Sequence, residues 1–457
     1  MDFEKMQKDA AAEWEAMKKD KKASISDLPI LESKVTISLK NCGVIDPDNI
    51  NHYIANGGYS GLAKALKMEP KDVIAEVKKA GLRGRGGAGY PVADKWTACQ
   101  KEDSREKYLI CNAAEGDPSV YIARVLFECD PHSVLEGMLI GAYASGSTHG
   151  FIYINNEYSQ AVTRIRTALQ KMRDMGLLGE KILGSGFSFD IEIRESAGAF
   201  IAGEETALLN SMEGKRASTS IRPPYPAQSG LFGKPTIINN IETLSHVSAI
   251  FQKGADWYAG IGTEKSKGTK IFVLGGSIKN PGLVEVPMGA TVREIIYDLG
   301  GGIIDGKALK AVQIGGPTGG FLSEVDLDLA LDFEHLKESG HIMGSGSIFV
   351  VDESACAVDL AKNCLLYLEN ESCGKCVFCR EGTLQFALIL TDISNGLGRN
   401  EDIEVLEEFG EGMKEGAFCA FGKNAANPVL TAIKYFREEY IEHIAKHQCP
   451  AKVCKIS

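Results

Sequence analysis

Gly84-Arg85-Gly86-Gly87-Ala88-Gly89 reads letter for letter as G-x-G-x-x-G, and how this hexapeptide is read decides the fold. A Rossmann fingerprint needs a strand before the glycines and an acidic residue about 20 positions after them. Here residues 73–82 (VIAEVKKAGL) have the pattern of a helix, and Tyr108, Leu109 and Ile110 stand where the acid is due. The usual dinucleotide fold is therefore disfavoured. Beside it stand a tight turn with no ligand, and a loop whose consecutive N–H groups cradle a phosphate or lie under a planar ring. Arg85 and Lys95 add positive charge to the second of these, and Tyr90 offers a ring for stacking.

Outward from the loop, to about residue 260, the patterns alternate. Residues 107–111, 150–154 and 187–192 are strand-like, and 130–143 and 160–175 are helical. This predicts an α/β domain, Rossmann-like without being the usual dinucleotide fold. Residues 31–80 lead into it through short extended stretches and helices such as 61–66. Residues 268–290 read as strand, turn, strand; a helix over 292–299 and a strand over 310–314 complete a β-grasp order. Beyond a strand-like 346–350 the pattern is helical over 355–371, 382–393, 402–413 and 428–447, which predicts a four-helix bundle. The expected layout is a lead-in over 1–80, the α/β domain over 81–265, the β-grasp domain over 266–345, the bundle over 346–440 and a tail over 441–457.

At 457 residues the chain exceeds what one core usually supports. Its net charge of −11 argues against nucleic acid as a partner, because phosphate binding needs a basic face. No run of 18 apolar residues predicts a transmembrane segment, and the first 22 residues lack the apolar core of a signal peptide. They read as a short charged helix, frayed or docked on a partner. Twelve cysteines without such a signal point to a reducing, cytoplasmic setting and to thiolate ligands. Cys42, Cys99, Cys111 and Cys129 are scattered and read as small buried apolar residues; the rest follow residue 355.

Cys373-Gly374-Lys375-Cys376-Val377-Phe378-Cys379 is C-x2-C-x2-C, with Cys419 as a remote fourth. Three thiolates at this spacing hold three corners of an iron–sulfur cubane and a distant one closes it. Zinc, which prefers separated pairs, and a purely structural role are the weaker readings. The tail offers a second metal-ligand composition: His443, His447, Cys449 and Cys454, with Cys356 or Cys364 to complete a zinc site, against the alternative of a reduced, exposed tail. Polar side chains also gather at 112–118, 196–205 and 235–243. Each alone reads as a cap or turn, but together they suit ribityl hydroxyls and ring nitrogens.

In order along the chain, GRGGAGYP with KW, N-x-x-E-G-x-P, AGAFIAGEETALLNSMEGKR, RPPYPAQSGLFGKPTIINNIETL and ESCGKCVFCREGT with Cys419 resemble one family. It is the NADH-binding flavin subunit of respiratory complex I, with its relatives in soluble NAD-linked hydrogenases, the electron-bifurcating branch included, and formate dehydrogenases. The resemblance implies FMN held by Gly84, Arg85, Gly86, Gly87, Ala88, Gly89, Lys95, Asn112, Glu115, Gly203, Glu204, Ile238, Asn239, Asn240 and Thr243. It implies NAD(H) against Tyr90, Lys95, Glu205, Arg222 and Tyr225, with Glu205 and Lys95 as the catalytic pair in the sense of orienting and tuning. A [4Fe–4S] cluster on Cys373, Cys376, Cys379 and Cys419 and a soluble-ligand-binding β-grasp domain follow from it too. So does the reaction: hydride transfer from the nicotinamide ring to the flavin, then single electrons to the cluster. The implied partners are a small thioredoxin-like [2Fe–2S] subunit and a larger iron–sulfur catalytic subunit of hydrogenase or formate-dehydrogenase type. Ala114, Asp117 and Phe200 depart from the aspartate, glutamate and tyrosine usual in the family. The alternatives are an electron-transfer scaffold without NADH activity of its own, and a β-grasp ligand-binding protein with a structural cluster.

Overall fold

The computed structural model describes residues 3–17 and 29–456. Strands β1 (Tyr108–Ala113), β2 (His149–Asn155), β3 (Asp190–Ser196) and β4 (Thr236–Asn240) form a parallel sheet in the order β3-β2-β1-β4. Strands buried on both faces need near-continuous apolar runs, and YLICNA and HGFIYIN supply them. Side-chain alternation divides β1 between two cores. Leu109 and Cys111 enter a large core, whereas Ile110 enters a smaller one with Leu208 and Leu209 of the helix Glu205–Met212. The chain order reverses between β1 and β4, so the carboxyl ends of these two strands open the crevice in which α/β sheets take ligands. Asn112 of β1 stands in register with Asn240 of β4 at that opening.

The amino-terminal helix, Phe3–Met17, docks one face on this chain itself. It buries Ala10 and Trp14 in the large core, and Glu13 accepts hydrogen bonds from the side chains of Asn49 and Asn51 at 2.7 and 2.6 Å. The charge pattern of the sequence shows the solvent face, but its docking partner, the helix Ile50–Ala55, is visible only in three dimensions. Residues 1–2 and 18–22 of that segment lie outside the described residues.

A mixed sheet follows, made of β5 (Thr269–Gly276), β6 (Gly282–Pro287), β7 (Leu309–Ile314), β8 (Gly320–Leu322) and β9 (Ser347–Asp352), in the order β6-β5-β9-β7-β8. β9 pairs with β5 in parallel and with β7 antiparallel, so it is a central strand. The expected boundary at 345 therefore moves: this sheet closes only at Asp352. The expected helix over 292–299 is a π-helical turn, Glu294–Leu299.

Helices Ala357–Glu371, Val377–Ser394, Asp402–Gly416 and Asn427–Ala445, with the short Ala420–Asn424, share one apolar core that includes Leu365, Leu368, Phe386, Leu390, Leu406 and Ile433. The second of these begins five residues before the expected 382, directly after Cys376, which occupies its N-cap. Among the described residues no helix is long and apolar enough to cross a membrane.

Candidate functional site

The glycine loop is shaped by what it uses of its own backbone. Gly84 N donates to Tyr90 O at 2.9 Å and closes the turn, and Arg85 N donates to the Thr243 hydroxyl at 2.8 Å. No hydrogen bond of ordinary length takes up the amides from Gly86 to Gly89 among the described residues. Gly89 has φ +61°, and a Cβ there would meet the Phe333 ring at 2.7 Å, so this corner accepts only glycine. A Cβ on Gly87 would sit 3.0 Å from Gly344 O. The β5–β9 domain is thus one wall of the loop, which the sequence reading did not anticipate.

Arg85 does not lend its charge to the crevice. Its side chain is buried, donating to Thr269 O, Arg83 O, Lys267 O and the Tyr258 hydroxyl. Four acceptors satisfy the guanidinium beneath the loop, so it staples the two domains together and is not a phosphate ligand. Asn239 and Thr243 are also committed. Asn239 Oδ1 accepts from the Trp96 indole at 2.8 Å, and Thr243 is fully buried under the Arg85 amide. Asn240 caps the helix Ile241–Lys253 through Oδ1, accepting from Glu242 N and Thr243 N. Its Nδ2 lies 3.7 Å from the position a Gly86 Cβ would take, so its amide faces the loop.

Lys95, on the helix Val92–Lys101, reaches across the crevice mouth. Its ammonium donates to Ile238 O at 2.8 Å and pairs closely with Glu205. Arg222 lies 3.8 Å from both Glu204 and Glu205, so two cations balance the two acids. Glu204 caps the helix Glu205–Met212, accepting from Thr206 N and Ala207 N at 3.0 Å each. Gly203 has nothing within 4 Å of a would-be Cβ, and its carbonyl accepts from Asn112 at the β1 end of the crevice. Tyr90 and Tyr225 are more than half exposed.

At the end of β1, Asn112 Nδ2 donates to Gly203 O at 2.9 Å and ties the strand to the turn Phe200–Gly203. Glu115 has φ +36°, a left-handed backbone unusual for a non-glycine residue. Its carboxylate accepts from Ala123 N and Arg124 N, yet burial lifts its pKa to about 7. Asp117 is turned from the crevice towards the second domain, accepting from Ser345 Oγ at 2.8 Å. Ala114 is buried in the smaller core. Free amides, the Lys95 ammonium, a side-chain amide and an open glycine make a donor set that fits an anionic, ring-bearing cofactor such as FMN.

Cys373, Cys376, Cys379 and Cys419 converge at two helix starts. Cys376 is the N-cap of Val377–Ser394, and Cys419 is the N-cap of Ala420–Asn424. Their sulfurs sense one another, since burial first, and then the neighbouring thiols, raise Cys379 to about 12. Among the described residues they do not form a single-ion group, whose ligand atoms lie within 4.8 Å of one another. Three buried thiols and the half-buried Cys373 suit the four corners of a cubane. The crevice and the cluster site share one core: Ile201 and Ala207 pack with Cys376, Cys379, Cys419 and Phe421. Phe200, at the start of the turn that carries Gly203, lays its ring 5.8 Å from that of Phe421 and 6.1 Å from that of Tyr367.

Cys356, His443, Cys449 and Cys454 do form a single-ion group, with all ligand atoms within 4.8 Å of one another. His443 Nε2 is 3.5 Å from Cys356 Sγ, and its Nδ1–H donates to Glu439 O at 2.7 Å, which fixes the tautomer a metal requires. Cys364 is not the completing ligand, because it accepts from Gln313 instead. His447 turns away to Gly396 O.

Residues 77–249 match the Nuo51 FMN-binding domain, 270–322 the SLBB domain, and 359–443 the NADH-ubiquinone oxidoreductase-F iron-sulfur binding region. The chain is 50% identical over 423 residues to the NADP-reducing hydrogenase subunit HndC of Solidesulfovibrio fructosivorans, covering 93% of this chain and 86% of that one. It is 43% identical over 394 residues to an NADH-quinone oxidoreductase subunit of Escherichia coli, covering 86% and 88%. A crystal structure of NAD+-reducing [NiFe]-hydrogenase in the air-oxidized state superposes with a TM-score of 0.77 at 33% identity, over 85% of this chain and 65% of that chain. The fold, the crevice beside four cysteines and these similarities agree: the chain belongs to the family of NAD(P)H-dehydrogenase-type subunits that bind FMN and a [4Fe–4S] cluster in complex I and NAD-linked hydrogenases.

Proposed function

We propose that this chain oxidises NAD(H) at the β1–β4 crevice and delivers the electrons to a cluster on Cys373, Cys376, Cys379 and Cys419, within a cytoplasmic hydrogenase- or formate-dehydrogenase-like complex. The observation that carries this is the turn Phe200–Gly203: Gly203 O accepts from Asn112 at the β1 end of the crevice while Ile201 packs in the core of the cluster cysteines. Bound FMN supplies the capacity to accept a two-electron hydride and release electrons singly. The chain's own residues bind, orient and insulate. The amides of Gly86 to Gly89 and the Asn240 side chain hold the phosphate and ring of the cofactor. Lys95 and Arg222 balance Glu204 and Glu205, so an anionic nucleotide meets both charges of these pairs at the mouth. Tyr90 and Tyr225 offer stacking faces for the nicotinamide nucleotide.

The layout that suits this reading is an FMN and NADH domain over 81–265, a β-grasp domain from 266, a four-helix bundle to about 440, and a zinc-binding tail over 441–457. The tail group has the composition and spacing of a structural Cys3His zinc site. A small thioredoxin-like [2Fe–2S] subunit and a larger iron–sulfur catalytic subunit are the electron acceptors this wiring calls for.

The test is purification with co-eluting subunits, followed by assay of FMN, iron, zinc and NADH-dependent dye reduction. Gly203→Val should remove FMN and dye reduction while leaving iron in place. A Gly203→Val protein that keeps its full FMN, or a wild type that NADH does not bleach, would sink the proposal.

A further inference from the structure

Lys375 lies between two of the cluster cysteines in the chain, and its ammonium donates to Thr219 O at 2.5 Å. Thr219 is a buried anchor in a loop whose next residues, Ser220, Ile221 and Arg222, are exposed. The same loop is held on its other side by the helix Glu205–Met212. Asn210 Nδ2 donates to Ser218 O at 2.6 Å, and Ser220 N donates to the Thr206 hydroxyl at 2.8 Å. Thr206 in turn donates to Glu204, and Arg222, three positions beyond Thr219, reaches Glu204 and Glu205 at 3.8 Å. Successive residues 218, 219 and 220 are thus pinned alternately to the acid-pair helix and to the cluster loop.

We propose that Lys375 is a positioning residue that links the redox potential of the four-cysteine cluster to occupancy of the nucleotide site, acting through the loop from Ser218 to Arg222. This rests on the nucleotide and cluster assignments made above. The 3.8 Å contacts of Arg222 are loose, and a bound diphosphate draws its guanidinium into shorter, charge-assisted bonds. With only two residues between Arg222 and Thr219, that movement is passed to the carbonyl holding the ammonium. A change in that bond alters the field of a full positive charge beside the cluster, which differs by one electron between its states. The linkage is reciprocal: the factor by which nucleotide shifts the cluster equilibrium is the factor by which cluster reduction shifts nucleotide affinity. Plain repulsion between an anionic nucleotide and an anionic cluster would act without Lys375, so the variant separates the two causes.

The experiment is an EPR-monitored redox titration of the cluster in the FMN-loaded complex, with and without saturating ADP-ribose, which carries the diphosphate but no nicotinamide. In the wild type the midpoint should shift by the equivalent of at least about fivefold, the low end of measured couplings, or about 40 mV for one electron at 59 mV per tenfold. In Lys375→Met the shift should fall below about twofold, while Lys375→Arg, which keeps the charge, retains more than half of it. Thr206→Val, which frees the opposite anchor at Ser220, should weaken the shift as well, and it decides the matter with Lys375→Arg if Lys375→Met loses iron. A wild-type shift persisting in Lys375→Met or Thr206→Val, or no shift in a wild type that binds ADP-ribose, overturns the linkage alone. Failure of the FMN-loaded complex to bind ADP-ribose overturns the nucleotide site and the linkage together.

Discussion

The Thr243 hydroxyl accepts the backbone N–H of Arg85 at 2.8 Å, so the helix after β4 sets the position of the glycine loop. Thr243→Val keeps the shape of the side chain and leaves that buried amide unsatisfied, at a cost of about 1–3 kcal/mol. FMN retention after gel filtration should fall together with thermal stability. Full FMN binding at an unchanged midpoint would mean the loop holds itself.

Glu205 shares its carboxylate between Lys95 and Arg222 at the crevice mouth. Glu205→Gln removes a negative charge facing an anionic nucleotide, so ADP-ribose should bind about fivefold more tightly, roughly 1 kcal/mol, with FMN content unchanged. Calorimetric titration checks this, and equal affinities refute the role assigned to Glu205.

Burial holds the Glu115 carboxyl at about 7 although two backbone amides pull it down, whereas in an unfolded chain it titrates near about 4.3. Between those values the folded state keeps a proton that the unfolded state has released. Its contribution to stability therefore declines as pH rises through this window and is level above it. Asp130, raised to about 6 by burial, acts with the same sign. Glu115→Gln should gain about 2 kcal/mol over wild type between pH 5 and pH 8 in denaturant unfolding of FMN-depleted protein. A pH-independent difference would return Glu115 to an ordinary surface carboxylate.

Lys270 and Glu242 form an ion pair at 2.6 Å with side chains 0% and 1% exposed. Lys270→Met strands the acid in the interior and should cost about 3–5 kcal/mol. Adding Glu242→Gln should recover part of the loss. A double variant no more stable than Lys270→Met would show that the remaining bonds to Ile271 and Ser345, not the charge, hold this junction.

His443→Gln should abolish one equivalent of zinc per chain and lower the thermal midpoint while leaving iron content and the cluster spectrum intact. Metal analysis of wild type that finds iron and no zinc would remove the tail site.

The local signals in the sequence carried far. The Cys373–Cys379 triplet, the tail from His443 to Cys454, and the alternation from 107 to 260 each predict a structure within a short window, because ligand spacing and strand periodicity are local properties. What stayed hidden was directional. Arg85 reads as a cation beside a phosphate loop, but its side chain turns beneath the loop because three acceptors from distant segments, with Arg83 O nearby, satisfy it there. Asn239 and Asn240 are adjacent in sequence, yet one bonds Trp96 and the other faces the loop, since successive side chains at the end of a strand point to opposite faces.

By itself, then, the order of residues determined most element types and the choice of glycine where backbone must turn tightly, and it carried the expectation of a cluster on Cys373, Cys376, Cys379 and Cys419. Only the tertiary structure decided that β9 is a central strand, that Cys356 rather than Cys364 joins the tail, and that the second domain walls the glycine loop through Gly344 and Phe333. These relations join residues from 34 positions apart, as Ile314 and Ile348, to 257, as Gly87 and Gly344. Packing and hydrogen-bond satisfaction fix such pairings, and neither is written in any short stretch of chain.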